Sequence, residues 1–193
     1  MSESQLFIHT DRLLLREVEE SDFSAVHDYA RDAEVSRYMP WGPNSEQDTK
    51  EFIQRVLDHQ RKQPRSEYDF ALVKKDDIYL IGICSLVVRN TTNSEGEIGY
   101  VLNRNYWNQG YTTEASKAVL SFGFDKLKMH RIYATCNPVN IASSRVMEKI
   151  GMRREGYLKE HRLTKGEWCD SLLYAILDRE FENIKTTIKY SKE

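Results

Sequence analysis

The chain has 193 residues, 40% hydrophobic and 30% charged, which is long enough for one well-buried core and short for two ordinary domains. Its 28 Lys and Arg balance 30 Asp and Glu to a net charge of -2, so no general basic field exists to hold nucleic acid. The longest apolar runs, Tyr79 to Ile83 and Leu172 to Leu177, fall far below the roughly 18 residues of a membrane span, and Met1 to Gln5 carries no export signal. The expectation is one soluble domain over residues 1–193, with a core over about 8–180 and a C-terminal tail over 181–193.

In chain order, Leu6-Phe7-Ile8 and Leu13-Leu14-Leu15 predict an N-terminal strand interrupted by a turn or bulge at Thr10-Asp11. Ser21-Asp22 is placed to cap a helix carrying Phe23, Val26 and Ala30 at helical spacing, and Val35 and Met39 suggest a second short helix stopped by Pro40. Ser45 to Asp48 resembles a capping box, with Phe52, Ile53, Val56 and Leu57 as the apolar stripe of a helix ending near Arg61. Three β-rich runs, Tyr68 to Lys74, Ile78 to Val88 and Gly96 to Leu102, predict an antiparallel meander.

A helix over Thr112 to Lys126 and a strand over Arg131 to Cys136 then complete a strand, helix, strand unit. Asn140 to Lys149 reads as a further helix closed by Gly151, followed by strands Arg153 to Lys159 and Ser171 to Leu177 across a turn at Lys165-Gly166. The tail from Asp178 to Tyr190 is expected to be a terminal helix.

Two stretches carry chemistry. Ile98 to Ala115 runs strand, polar turn, Gly110, helix start, an arrangement that presents the unpaired N–H groups of a first helical turn beside a strand end and so suits phosphate oxygens. An ordinary glycine turn into a helix is the alternative. No Gly-Lys-Ser/Thr or Gly-x-Gly-x-x-Gly is present. In the second stretch, Asn140 is most simply an N-cap, with Ser143 on the same side of the first turn.

Taken together, the two stretches resemble the GCN5-related N-acetyltransferase (GNAT) superfamily, and specifically its RimJ/RimL branch of ribosomal-protein N-terminal acetyltransferases. Tyr106 to Ala115 matches the branch's turn except for Thr112, where Gly or Ala is commoner. Trp107 stands where the superfamily has Gln or Arg, as is usual in this branch. Asn140-x-x-Ser143 with Arg145 to Met152, Asp11 to Arg16, Gly151 to Gly156 and Asp170-Ser171 extend the likeness over nearly the whole chain.

The resemblance implies an α/β fold, a mixed, mostly antiparallel twisted sheet flanked by helices and splayed beside the cofactor turn. It implies acetyl-CoA as cosubstrate, with the pantetheine arm along Tyr100, Val101 and Leu102 and the pyrophosphate at Trp107, Asn108, Gln109, Gly110, Tyr111, Thr112 and Thr113. Asn140 is implied to contact the cofactor and Ser143 to protonate the leaving sulfur.

For the base, Glu97 points the same way as Gly99 and Val101, where several acetyltransferases carry a glutamate; it is equally a surface carboxylate. Glu160 is the rival. An α-amino group titrates near 7.7–8.0 against about 10.4 for lysine, so an N-terminal substrate needs less help from a base. Trp41 is either a wall of the acceptor groove or a hydrophobic plug.

The implied partners are acetyl-CoA and an amine, the foremost being a ribosomal protein's N-terminus, then small amines, polyamines or antibiotics. A non-catalytic acyl-CoA-binding module is the reading from another class. The five histidines show no metal-ligand spacing, so no metal is expected. The scattered Cys84, Cys136 and Cys169 suit a reducing cytoplasm, with Cys136 in a packing role. No nucleic acid or membrane partner is expected, and the sheet edge of this fold is compatible with a homodimer.

Overall fold

The computed structural model describes residues 6–183 and 189–192. Strands β1 (Leu6–His9) and β2 (Leu13–Glu17) form an antiparallel hairpin with Ile8 opposite Leu15. The interruption expected within one strand is thus a full reversal. Thr10 makes it, its backbone N–H donating to the Leu13 carbonyl and its hydroxyl oxygen accepting the Leu13 N–H.

Helix α1 (Phe23–Ala30) follows a single 3-10 turn, and α2 (Glu46–Arg61) opens with the expected capping box. Ser45 Oγ accepts the Asp48 N–H at 3.2 Å and Asp48 accepts the Ser45 N–H at 2.8 Å. Asp22, expected to cap α1, instead accepts the Glu19 N–H and two bonds from the Arg16 guanidinium, which neutralises its buried carboxylate.

The second short helix expected at Val35 and Met39 is a run of turns. The bonds there are scattered turns, Ser36 N–H to the Asp32 carbonyl, Arg37 N–H to the Glu34 carbonyl and Met39 N–H to the Ser36 carbonyl, before Pro40 removes the next donor.

The meander is β3 (Glu67–Lys74), β4 (Tyr79–Asn90) and β5 (Glu95–Leu102). After it come α3 (Tyr111–Asp125), β6 (Arg131–Cys136), α4 (Ile141–Lys149), β7 (Arg153–Thr164), β8 (Glu167–Leu177), α5 (Asp178–Phe181) and β9 (Lys189–Lys192). The terminal helix expected over Asp178 to Tyr190 is therefore four residues long, and Lys189 to Lys192 pair with β1 as an edge strand. Residues 184–188 of that expectation lie outside the described ones. Strands β7 and β8 run past the predicted Lys159 and Ser171 into a long ribbon.

Sheet order is β7-β8-β6-β5-β4-β3-β2-β1-β9, antiparallel throughout except between β5 and β6. Alternation along β3 divides the core. Phe70 and Leu72 join Leu86, Ile98 and the α3 residues Ala115, Val119 and Phe122 on one side. Ala71 and Val73 join Ile83, Val26, Ile53 and Val56 beneath α1 and α2 on the other.

The parallel pair is short. Glu95 to Glu97 pair with Arg131 to Tyr133, after which Ile98 to Leu102 pair with β4 and Ala134 to Cys136 with β8. The sheet splays there, as expected, and leaves a β5 edge whose N–H and C=O groups are open to a ligand strand.

Candidate active site

At the end of β5, the Trp107 indole N–H donates to the Leu102 carbonyl at 2.8 Å and folds the chain back on itself. Gln109 Nε2 donates to the Asn105 carbonyl at 3.1 Å, and Asn108 and Gly110 take positive φ values of 60° and 84°. The left-handed Gly110 delivers the chain into α3 without a side chain over the helix start. The first intrahelical bond runs from the Glu114 N–H to the Gly110 carbonyl, so the N–H groups of Tyr111, Thr112 and Thr113 point out of the helix end. All seven residues predicted for the phosphate turn thus lie in one turn and helix start, and that geometry suits a pyrophosphate.

Arg12 locks this turn in place. Its Nε donates to Glu114 Oε2 at 2.7 Å, its backbone N–H to Glu114 Oε1 at 2.9 Å and its Nη1 to the Gln109 carbonyl at 3.0 Å. The guanidinium lies 4.3 Å from the Tyr111 ring centre. Burial works to raise the Glu114 carboxyl, but the bonds from Thr10 and Arg12 outweigh it and hold the group below the usual range. Sequence reading placed Arg12 in a motif without a role, because its partners lie about a hundred residues away.

Asn140 caps α4, its side-chain oxygen accepting the Ser143 N–H at 3.1 Å. That cap turns Ser143 toward β5, where Tyr100 Oη lies 2.9 Å from Ser143 Oγ and donates to the Ser143 carbonyl at 3.1 Å. Burial pushes the Tyr100 hydroxyl well above the usual tyrosine range, against the lowering effect of the Ser143 bond, so it stays protonated. Tyr100 therefore ties the open edge of β5 to the start of α4.

On the other face, under α1 and α2, a cleft of about 490 Å³ reaches Gly99, Tyr100 and Val101. Trp41, Phe52 and Met39 supply apolar wall, while Asp48, Glu51 and Arg55 bring charge to its solvent side. Trp41 lines this cleft and also packs against the Val26, Ile53 and Val56 core. The turn of the β7–β8 ribbon is pinned by Lys165 Nζ, which donates to the Ser36 carbonyl at 2.9 Å.

Glu97 and Glu160 stand apart from this cleft. Both oxygens of Glu97 are engaged, by Arg89 at 2.7 and 2.8 Å and by Arg162 at 2.6 Å, which staples β4, β5 and β7 together. Glu160 is exposed at a register shift of β7, and its N–H donates to Asp170 at 2.8 Å. Cys136 is buried, with Sγ 3.4 Å from Ser144 Oγ, and burial raises its thiol.

A turn that presents free helix-start N–H groups, an open strand edge and a cleft on the opposite face suit an enzyme that transfers a group from a phosphate-bearing donor to a second substrate. The model of the acetyltransferase (GNAT) domain family matches residues 12–153. An uncharacterized N-acetyltransferase of Bacillus subtilis, YnaD, is 42% identical over 91% of this chain and 99% of its own. The crystal structure of a GNAT-family acetyltransferase from Bacillus anthracis, 41% identical, superposes with a TM-score of 0.80 over 90% of this chain and 99% of that one. The [ribosomal protein uS5]-alanine N-acetyltransferase of Escherichia coli is 29% identical over 86% of this chain and 88% of its own. The chain belongs to the GNAT family of N-acetyltransferases, which use acetyl-CoA as the acetyl donor.

Proposed function

We propose that this N-acetyltransferase acetylates a protein N-terminal α-amino group, with Ser143 as the acid that protonates the departing thiolate. The observation that carries the acid role is the hold of Asn140 and Tyr100 on Ser143 beside the open edge of β5. Acetyl-CoA supplies an activated thioester. The chain's own part is to anchor pyrophosphate on the N–H groups of Tyr111 to Thr113, align the arm along Tyr100 to Leu102 and provide the Ser143 proton. The apolar Trp41, Phe52 and Met39 wall fits the small first residue of a peptide, and the uS5-alanine enzyme among the relatives supports a ribosomal-protein N-terminus.

A second reading rests on Asp48 and Glu51, whose carboxylates at the cleft suit a polyamine. Thiol release from acetyl-CoA with alanine- and serine-initiated peptides and with spermidine separates the two. Faster turnover of the peptides is expected; a preference for spermidine overturns the N-terminal reading. Ser143→Ala is expected to lower kcat by about 100-fold, the low end for a lost general acid, and to leave acetyl-CoA affinity unchanged. Wild-type turnover at saturating substrate rejects the Ser143 role.

A further inference from the structure

The cleft floor carries a row of three positions on adjacent strands. Asp69 on β3 is opposite Ser85 on β4, which is opposite Gly99 on β5. All three point to the face that α1 and α2 cover, because they share the alternation of Ala71 and Ile83. Ser85 and Gly99 line the cleft directly. Nothing lies within 4 Å of where a Cβ on Gly99 would stand, so the floor is open to a substrate at the strand that borders the splay.

Ser85 Oγ donates to Asp69 Oδ1 at 2.5 Å, which leaves the serine's lone pairs facing the cleft. The glutamate one step along the same face, Glu97, has both oxygens committed to Arg89 and Arg162. Resting on the acetyl-transfer reading above, we propose that Ser85 receives the proton of the attacking amine and relays it to Asp69. Ser85 is then a catalytic residue that touches the amine, and Asp69 a positioning residue and proton store behind it.

The step balances. The amine nitrogen forms the new C–N bond as the C–S bond breaks; its surplus proton passes to Ser85 Oγ as the Ser85 hydroxyl proton passes to Asp69, the thiolate takes the Ser143 hydroxyl proton, and bulk water then takes the Asp69 proton and returns one to Ser143.

The surroundings favour a carboxyl able to hold a proton. Burial raises the Asp69 carboxyl most, opposed by the Ser85 bond; Glu67 raises it further, while His59 and Arg65 lower it. The groups facing it are His59 from α2, Tyr29 from α1, Glu67 on its own strand, and Arg65, which is itself paired with Glu17 of β2. His59 Nδ1 lies 2.9 Å from Glu67, so those two are spent largely on each other.

The test is thiol release from acetyl-CoA with an alanine-initiated peptide at saturating concentration, from pH 6 to 9, for wild type, S85A, D69N and the double variant. Circular dichroism and calorimetric acetyl-CoA titration serve as controls. S85A and D69N are each expected to lower kcat by about 100-fold, with acetyl-CoA affinity unchanged and the double variant no slower than either single one. The acid limb of kcat is expected to vanish in D69N. Wild-type kcat and an unaltered pH profile in S85A and D69N overturn the pair while leaving acetyl transfer standing. A wild-type protein inert toward every amine overturns both. Should D69N not fold, S85A decides alone, because loss of one exposed-side hydroxyl leaves the packing of β4 intact.

Discussion

Asp69 shows how a single side chain trades stability for chemistry. Its folded-state carboxyl is raised by burial, so the folded protein binds that proton more tightly than the unfolded chain does. Below the ordinary aspartate range both states are protonated and nothing is lost. As pH rises from there through the raised value, ionisation of the buried group erodes stability. Asn at this position keeps an oxygen for the Ser85 hydroxyl and never ionises. D69N is therefore expected to melt higher than wild type at pH 7, with the gap closing toward pH 4; a gap independent of pH in calorimetry rejects this account. A variant that is slower and more stable is the mark of a group kept for function.

At the scale of elements, the N-terminal hairpin and the start of α3 act as one unit. Arg12 reaches Glu114 and the Gln109 carbonyl, and Thr10 donates to Glu114 at 2.6 Å, so the hairpin clamps the phosphate turn from behind. Arg12→Ala removes the clamp and leaves the Glu114 carboxylate partly buried with fewer donors. The expected result is a KM for acetyl-CoA raised by about tenfold, equivalent to roughly 1.4 kcal/mol, with kcat nearly unchanged. An unchanged KM shows that the turn holds its shape without Arg12. Local sequence was a good guide at three element ends, though not at Asp22. The Ser45–Asp48 box, the Asn140 cap and Gly151 at the end of α4, with its φ of +89°, each satisfy backbone groups within a few residues. Val35 and Met39 misled because apolar spacing alone does not overcome the cost of starting a helix just before Pro40.

Across the whole molecule, the sheet separates two duties. The core beneath α3 and α4 backs the turn proposed to hold the donor, and the core beneath α1 and α2 backs the cleft. Ile53, 4% exposed, belongs to the second core alone. Ile53→Ala is expected to cost about 2–5 kcal/mol in urea unfolding. In the protein that remains folded, it is expected to raise KM for the amine while sparing acetyl-CoA affinity. Equal losses on both sides indicate that the sheet transmits the defect and that the duties are not separate.

What the sequence by itself determined is what short-range physics controls: the strands and longer helices through β8, the Ser45 and Asn140 caps, the glycine turn into α3 and the family those residues match. Tertiary structure alone decided which distant groups meet. It spent Glu97 on Arg89 and Arg162, carried Glu160 away on an exposed strand shift, brought Tyr100 to Ser143 and set Asp69 behind Ser85. The reason is that a side chain's direction follows from the alternation of its own strand, whereas its partner follows from register between strands far apart in the chain, which no local pattern records.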